Sequence, residues 1–350
     1  MSLRKNKKWI VLAGSVLVAG VLAGCGTSGE KIDNATQLLE QLNYEAALAE
    51  FDLAEEAGEN ERLIARGRGI AYMGLTDYDN AIANFEASLG ASDGFVQNVD
   101  FDVNYYLAAA YFKSGQSLEA EEAYNAILAL RPDEEDAYFL RGNVRLERGN
   151  YEGAKEDFDK VVSMDSNNYD RLIEIYRALE HYGYKAVGQE YLNNAMKAAG
   201  DKMDSYDSGR MYYYLEDYQK ACVALEKARS KGDAESFLYL GKSYEATGDY
   251  NYAASVYNSW IAKDTGSAAI YNQLGLCEMQ MGSYKRALDA FQAGKKVEGN
   301  SLMQTLSFNE IVAYEYLGEY TQASVLLDSY LKTYPDDEVA KREKQFLATR

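Results

Sequence analysis

Residues 247–257 read TGDYNYAASVY, and the order of residue types in this stretch recurs along the chain. A glycine is followed after two residues by a tyrosine, after three more by an alanine, and after four more by an aromatic residue. Related phrases occupy 113–124, 147–158, 280–291 and 316–327. Internal repetition of this kind is typical of repeat proteins, in which each unit is one small supersecondary element that stacks on the next.

The spacing of small and bulky residues predicts two helices in each unit. Around the quoted stretch, Leu240, Gly241 and Tyr244 share one helical stripe, and Ala253 and Tyr257 share a second. Small residues at facing positions let the two helices approach closely, and the aromatic residue fills the space beside them. The glycine between the helices can adopt a positive φ and end the first helix. One pair cannot bury its stripes alone, so neighbouring pairs must stack.

This pattern resembles the tetratricopeptide repeat, a helix–turn–helix motif of about 34 residues. Nine repeats between about residues 28 and 335 fit its register. The first repeat has a short first helix. The fifth has Tyr176 where the family expects glycine or alanine and Gly188 where it expects alanine, which suggests a local kink or a changed pitch. The resemblance implies an all-α fold: a right-handed superhelical α-solenoid of about nine repeats with a C-terminal capping helix.

Two stretches outside the repeats also carry expectations. Pro335 and the acidic residues after it predict the start of a last helix, in which Val339, Phe346 and Leu347 would cover the ninth repeat. The longest interruption between repeats is GASDGFVQNVD, at 90–100, which we expect to be a loop.

The composition excludes some partners. The chain has 350 residues with 55 acidic and 36 basic side chains, and its formal net charge is −19. Phosphate binding needs basic surface, so this charge argues against nucleic acid as a partner. It also opposes flat docking on an anionic membrane.

Residues 1–25, MSLRKNKKWIVLAGSVLVAGVLAGC, are typical of a targeting segment. Four cations precede an apolar run from Trp9 to Leu22, which is shorter than the roughly 20 residues that span a bilayer. Its end, from Leu22 to Cys25, resembles the lipobox of bacterial lipoproteins, which implies cleavage before Cys25 and lipidation of that cysteine. A signal anchor with a chance cysteine is the alternative.

These patterns together predict the organisation of the chain and its location. We expect a lipoprotein signal peptide over 1–24, a lipidated cysteine and short tether over 25–31, nine repeats over 32–335 and a capping helix over 336–350. The protein would then be anchored by lipid to a bacterial cell membrane, on its extracytoplasmic face.

The sequence offers little catalytic chemistry. The single histidine, His181, cannot supply a multi-histidine metal site. We find no Cys-x-x-Cys pair, no glycine-rich phosphate loop and no nucleophile elbow. Cys222 and Cys277 fall on separate helices two repeats apart, where a disulfide is not expected. We therefore expect no enzyme activity, no cofactor and no metal.

A binding groove is expected instead, because in this family the first helices of the repeats line the concave face. The residues that the register places there form an apolar and aromatic wall, a row of cations and one asparagine: Tyr105, Phe112, Phe139, Asn143, Leu146, Ile173, Arg177, Tyr206, Arg210, Tyr213, Leu238 and Lys242. Two alternatives stay open. Arg177 could pair with Glu174 or Glu180, and Arg210 with Asp207, on their own helices. Superhelical curvature could also close the apolar wall.

The resemblance implies a general role, a scaffold or adaptor that holds a peptide or protein segment of an envelope protein in its groove. A lipid tether would raise its effective concentration toward other membrane-bound partners. The carboxylate clamp for chaperone tails is not matched, because Phe139 replaces its first lysine and Asp170 and Glu174 have the opposite charge. The alternative is a solute-binding lipoprotein that recognises a glycan or an anionic cell-wall fragment, with tyrosines stacked on sugars.

Overall fold

The computed structural model describes residues 29–350, and within this range the regular structure is entirely helical, with 19 α-helices, two 3₁₀-helices and no strand. The chain divides into two compact units, the first ending at Ser166 and the second running from Asn167 to Arg350. The predicted all-α fold of repeated helix pairs is confirmed. The predicted signal peptide and Cys25 lie outside the described residues.

Unit 1 consists of four helix hairpins in chain order. Their helices are α1 (Glu30–Glu40), α2 (Tyr44–Glu56), α3 (Glu61–Gly74), α4 (Tyr78–Gly90), α5 (Asn98–Lys113), α6 (Ser117–Leu130), α7 (Glu135–Glu147) and α8 (Tyr151–Met164). The second helix of each hairpin packs against the first helix of the next. The connection between α4 and α5 is the predicted loop, shortened to 91–97, and Phe95 at its tip is 77% exposed.

Unit 2 consists of five hairpins and a last single helix. Its helices are α9 (Tyr169–His181), α10 (Lys185–Ala199), α11 (Ser205–Tyr214), α12 (Tyr218–Ala228), α13 (Ala234–Ala246), α14 (Tyr250–Ile261), α15 (Ala268–Gln280), α16 (Tyr284–Lys295), α17 (Met303–Tyr316), α18 (Tyr320–Thr333) and α19 (Glu338–Leu347). The 3₁₀-helices, Gly200–Lys202 and Arg229–Lys231, follow α10 and α12. The same sequential packing of neighbouring helices holds the unit together.

Glycines close most of the hairpin turns, as the register predicts. Their φ values lie between 71° and 90° at Gly115, Gly149, Gly183, Gly248, Gly282 and Gly318. The other three turns place Leu42, Thr76 and Glu216 at the same position with φ of 59°, 61° and 63°. A side chain in this left-handed region crowds the following carbonyl oxygen, so these three turns carry backbone strain.

We expect Thr76→Gly to stabilise the protein by up to about 1 kcal/mol, because glycine adopts a φ of 61° without this crowding. The gain is reduced by the extra freedom of glycine in the unfolded chain. Urea unfolding followed by circular dichroism measures it. The matched control is Thr247→Gly at the end of α13, where φ is −82°, and there we expect a loss of stability. Equal effects of the two substitutions would refute the strain.

Another set of glycines allows the two helices of a hairpin to touch. A Cβ atom added to Gly142 would lie 2.6 Å from a ring carbon of Phe158, and one added to Gly275 would lie 2.3 Å from a ring carbon of Phe291. Both rings are almost fully buried. The aromatic residue of the second helix therefore occupies the space that a side chain on the first helix would need.

The fifth hairpin reverses these sizes. Tyr176 replaces the usual small residue on α9, and Gly188 lies against it on α10, where an added Cβ would come within 3.0 Å of the Tyr176 ring. The two departures from the repeat pattern compensate each other, so the hairpin still closes. Between α10 and the next hairpin lies an open cleft of about 590 Å³, with Gln189, Asn193 and Lys220 among its polar lining residues.

The last helix, α19, differs in part from expectation. The Asp337 carboxylate caps it by accepting hydrogen bonds from the backbone N–H groups of Val339 at 2.9 Å and Ala340 at 3.1 Å. Ala340 and Leu347 are buried, whereas Val339 is 47% and Phe346 is 40% exposed. The prediction that Val339 and Phe346 cover the ninth repeat is therefore wrong. Each precedes a buried residue by one position, which turns it by about 100° toward solvent.

Glu59, between α2 and α3, holds the beginning of α1. Its carboxylate oxygens accept hydrogen bonds from the backbone N–H groups of Lys31 at 3.1 Å and Ile32 at 2.9 Å. These groups have no partner within the helix, because the first turn of any helix leaves its amides free. The backbone N–H of Glu59 donates to the Ala54 carbonyl of α2 at 3.0 Å. The start of the first helix is thus fastened to the end of the second.

Unit 1 contains a buried network of ion pairs between α6, α7 and α8. The Asp157 side chain is 2% exposed and accepts hydrogen bonds from Arg141 Nε at 3.0 Å and Arg145 Nη1 at 3.0 Å. Arg145 also donates through Nε to Glu121 at 2.8 Å. Buried charges are tolerated only when they are paired and hydrogen-bonded in this way.

Cys222 and Cys277 are both buried, and neither forms a disulfide. None of the helices within residues 29–350 has the length and apolar character that crossing a bilayer requires. In the same range, no group of three or more His, Cys, Asp or Glu residues is placed to hold a metal ion.

Candidate functional site

In unit 1, most of the predicted groove wall belongs to the core. Phe139 and Leu146 on α7 are each 3% exposed, and the Phe139 ring lies 6.1 Å from the ring of Phe158 in its own hairpin. Asn143 is also buried, and its Nδ2 donates to the Phe139 carbonyl at 2.9 Å, while its Oδ1 has no hydrogen-bond partner. The prediction that Phe139, Asn143 and Leu146 line an open groove is therefore wrong, because almost none of their surface is accessible.

The two aromatic residues predicted on α5 remain partly accessible. Tyr105 and Phe112 are half-buried. The Tyr105 ring makes an edge contact with Tyr124, with 6.2 Å between the centroids. Burial, followed by the nearby Glu134 carboxylate, raises the pKa of the Tyr105 hydroxyl above its ordinary value. These residues offer a small aromatic surface in unit 1.

In unit 2, the predicted apolar positions divide in the same way. Ile173 on α9 is 5% exposed and belongs to the core, which corrects its assignment to the groove. Leu238 on α13 is half-buried and packs against the core of the unit. Tyr206 and Tyr213, which lie two turns apart on α11, are also half-buried and retain accessible surface.

Arg210 is not a free cation. It is 7% exposed, and its guanidinium pairs with Asp207 at 2.5 Å and also with Asp170. Its guanidinium carbon lies 4.4 Å from the centre of the Tyr206 ring. Burial alone would lower the pKa of Arg210, but the hydrogen bonds to the two carboxylates raise it above its ordinary value. Arg210 therefore forms the pair with Asp207 that its own helix allows, together with a second pair to Asp170 on α9.

Arg177 does not make the pairs that were open to it. Glu174 instead accepts a hydrogen bond from Arg171 Nη1 at 2.8 Å, and Glu180 accepts one from the Tyr176 hydroxyl at 2.8 Å. Arg177 is exposed and makes no hydrogen bond or ion pair within the described part of the chain.

Lys242 on α13 is a second cation outside the ion pairs of unit 2. Its side chain is half-buried and makes no hydrogen bond or ion pair to residues 29–350. Burial lowers the pKa of the Lys242 ammonium; the Glu245 carboxylate raises it, and the positive charge of Arg177 lowers it. Glu245 is itself held by a hydrogen bond from the Tyr257 hydroxyl.

Tyrosines join the first helices of three successive hairpins. Tyr176 on α9 lies 5.3 Å from Tyr214 on α11, measured between ring centroids. The Tyr213 and Tyr239 rings, on α11 and α13, are also 5.3 Å apart. The Tyr214 and Tyr239 hydroxyls share one hydrogen bond of 2.8 Å. Burial and the neighbouring groups, Tyr214 first among them, raise the pKa of Tyr213 to about 12.

We call Tyr176, Tyr213, Tyr214, Tyr239, Arg177 and Lys242 the first-helix cluster. The sequence register identified three of its six members as site residues, namely Arg177, Tyr213 and Lys242. It did not identify Tyr239, which stands one position after the predicted Leu238 and faces Tyr214. The rings of Tyr213, Tyr214 and Tyr239 are partly accessible, whereas Tyr176 is buried at 2% exposed. The three accessible tyrosines offer a surface suited to an apolar segment of a partner.

Comparison with known proteins agrees with the repeat. Residues 105–169 and 206–268 match a family model described as tetratricopeptide repeat. RNA polymerase II-associated protein 3 of Xenopus laevis is 23% identical over 243 residues, which cover 68% of this chain and 34% of that protein. DnaJ homolog subfamily C member 3 of Mus musculus is 25% identical over 305 residues, which cover 85% of this chain and 56% of that protein. This chain spans about a third to rather more than half the length of these curated relatives.

Two solved structures are also similar. A tetratricopeptide repeat protein from Parabacteroides merdae aligns with a TM-score of 0.49 and 13% identity over 81% of this chain and 97% of that one. MamA from Desulfovibrio magneticus aligns with a TM-score of 0.41 and 20% identity over 50% of this chain and 99% of that one.

Proposed function

We propose that this chain, whose residues 105–169 and 206–268 are tetratricopeptide repeats, is a lipid-anchored extracytoplasmic scaffold. It would bind a peptide or protein segment of a cell-envelope partner on the first-helix cluster of unit 2. Tetratricopeptide repeats generally bind proteins, which supports a binding role rather than a catalytic one. The observation that carries the proposal is the set of partly accessible tyrosines that joins two successive first helices, Tyr213 and Tyr214 on α11 and Tyr239 on α13, because accessible tyrosines anchor interfaces.

The location in the proposal rests on the sequence of residues 1–25. A lipobox-like end after a basic and then an apolar segment supports lipidation of Cys25 and export. Two or more acyl chains hold a protein stably at a membrane, whereas one binds marginally. The six residues between Cys25 and Ile32 extend to at most about 20 Å, so the repeats would remain near the membrane surface.

The double variant Tyr206→Ala/Tyr213→Ala tests the proposal, since both side chains lie on one stripe of α11. We expect the variant to lose capture of its partner by at least about 30-fold, because truncating one interface hot spot costs about 2 kcal/mol or more. Crosslinking in whole cells followed by mass spectrometry measures capture, and circular dichroism checks that helicity is kept.

The matched control is Tyr252→Ala, which removes a tyrosine that is 40% exposed on the second helix α14. The control should capture the partner as the parent does. If the α11 variant also captures the partner normally, the binding surface lies elsewhere and the proposed site fails.

The cleft beside α10 favours a second candidate function, solute binding. Amide and charged side chains line its volume of about 590 Å³, including Gln189, Asn193 and Asp201. Such groups can hydrogen-bond to the hydroxyls of a glycan. A thermal-shift screen against glycans and cell-wall fragments would show stabilisation that Asn193→Ala reduces. If no such compound stabilises the protein, only the scaffold function remains.

A further inference from the structure

Two glutamates lie at the contact between α17 and the last helix, α19. Ile311 of α17 is buried in one cluster with Ala340 and Leu347 of α19. Glu315 follows Ile311 by one helical turn and therefore lies on the same face of α17. Glu343 stands between Ala340 and Leu347 on the packed face of α19, and it is the one residue from 341 to 346 that is not exposed. The packing of the two helices thus brings the two carboxyl groups together.

The surroundings of the Glu315 carboxyl favour its neutral form. Its Oε1 is shielded from solvent and has no hydrogen-bond partner among the described residues. Burial, followed by the charge of Glu343 and a hydrogen bond to it, raises the pKa of Glu315 from its ordinary value of 4.5 to about 7. A carboxyl and a carboxylate can form a hydrogen bond with each other, whereas two carboxylates have no proton to share. The pair therefore attracts when it carries one proton and repels when it carries none.

The other charged groups around this contact have partners of their own or face solvent. Among the charged groups of the described residues, Glu343 is the one that shifts the pKa of Glu315. The ion pairs on α15 to α19 are Lys341–Glu338, Lys344–Asp328 and Lys295–Glu310, each at 2.7 Å, and Arg286–Glu278 at 2.8 Å. The Tyr330 hydroxyl donates to Asp337 at 2.6 Å, and the Arg350 guanidinium carbon lies 4.8 Å from the centre of the Phe346 ring. The exposed charges are Glu319, Lys332 and Arg342.

We propose that Glu315 and Glu343 form a pH-sensitive switch, which docks α19 on the last hairpin when the pair carries a proton and releases it when both groups are ionised. The docked state binds a proton more tightly than the undocked state does. Docking is therefore strongest below the ordinary pKa of Glu315 and weakens as the pH rises through its raised pKa. Release uncovers Ile311 and Leu327, which α19 helps to bury.

Hydrogen exchange of the α19 amides measures this docking equilibrium, because the amides of a locally opened helix exchange. In the full chain, the protection of residues 338–347 is corrected for the pH dependence of intrinsic exchange. We expect it to fall at least about tenfold between about pH 5 and about pH 8, since each unit of pKa separation corresponds to a factor of about ten. The α14 amides serve as an internal reference, and an equal fall there would overturn the assignment to α19.

Glu315→Gln should abolish this pH dependence. The amide is neutral at every pH and can donate a hydrogen bond to Glu343 in place of the shared proton. Protection of α19 at about pH 8 should then match that of the parent at about pH 5. Glu343→Gln removes the charge that faces Glu315 and should reduce the pH dependence. The matched control is Glu319→Gln, which neutralises an exposed glutamate just before α18 and should keep the dependence of the parent.

A further variant separates the switch from ordinary docking. Asp328→Asn breaks the ion pair between α18 and Lys344, so it should lower protection of α19 by a similar factor at both pH values and leave their ratio unchanged. If Asp328→Asn removes the pH dependence, the glutamate pair is not its source. The proposal also fails if the parent shows equal protection at the two pH values, or if Glu315→Gln responds to pH as the parent does.

Discussion

Ala253→Arg is expected to lower the free energy of unfolding of unit 2 by about 3 kcal/mol or more. Ala253 on α14 is fully buried in a cluster with Leu240, Tyr257 and Phe237. The longer side chain would overpack this region, at a cost of roughly 1–3 kcal/mol, and would also bring in a buried charge without a partner. Chemical unfolding followed by circular dichroism at equal protein concentration measures the loss.

Ser255→Arg is the matched control, because Ser255 is exposed on the same helix. It should change the free energy of unfolding by less than about 0.5 kcal/mol, as surface substitutions generally do. Similar unfolding curves for the parent and Ala253→Arg would mean that this face of α14 does not pack as described, and the repeat register would fail with it.

The second large effect is expected in unit 1, where Asp157→Leu should cost about 3–5 kcal/mol. The substitution leaves Arg141 and Arg145 partly buried without the carboxylate that both of them share. The leucine side chain cannot replace those hydrogen bonds, and the two like charges then face each other. Thermal and urea unfolding of the full chain measure the difference from the parent.

Asp159→Leu is the control for this prediction, because Asp159 is exposed on the same helix and pairs with Lys155 at 2.6 Å. An exposed pair of this kind contributes at most about 1 kcal/mol. A loss that is equally small for Asp157→Leu would show that Arg141 and Arg145 are sufficiently held by their other partners, Asn125 and Glu121.

The sequence predicts the hairpins because their requirements are local. A small residue must stand where an aromatic ring crosses, as at Gly142 and Gly275, and a turn must accept a positive φ. Even the fifth hairpin keeps this logic, since the glycine that makes room for a ring, Gly188, stands on its second helix and faces Tyr176 on the first. These requirements concern residues within one pair of helices, so the helix pairs can be predicted from a sequence that repeats the pattern.

The exposure of the expected groove positions was predicted less well, because burial there depends on how closely separate hairpins pack. The register places Phe139 and Ile173 on first helices, but the degree to which other helices cover those side chains is set by packing along the stack. Residues at equivalent positions, such as Ile173 and Leu238, therefore differ in exposure.

The ion-pair partners of the cations also could not be predicted from sequence spacing alone. Glu174 stands three residues from both Arg171 and Arg177, so spacing alone gives the two pairs equal weight. The structure selects Arg171. Arg210 takes one of its two carboxylates from Asp170, which lies 40 residues earlier in the chain. A contact between helices of this kind decides which charges remain free to bind a ligand.

The hydrogen bonds between Glu59 and the start of α1 affect how this end of the molecule resists a pulling force. Traction on the backbone ahead of Gly29 would reach the amides of Lys31 and Ile32, which a carboxylate beyond α2 already holds. Peeling α1 away from its end would first have to break both of these bonds, so the pulling force is shared with the rest of the first hairpin from the outset. A tether attached at this end would therefore pull on a helix terminus that two hydrogen bonds to Glu59 hold in place, and not on a fraying helix.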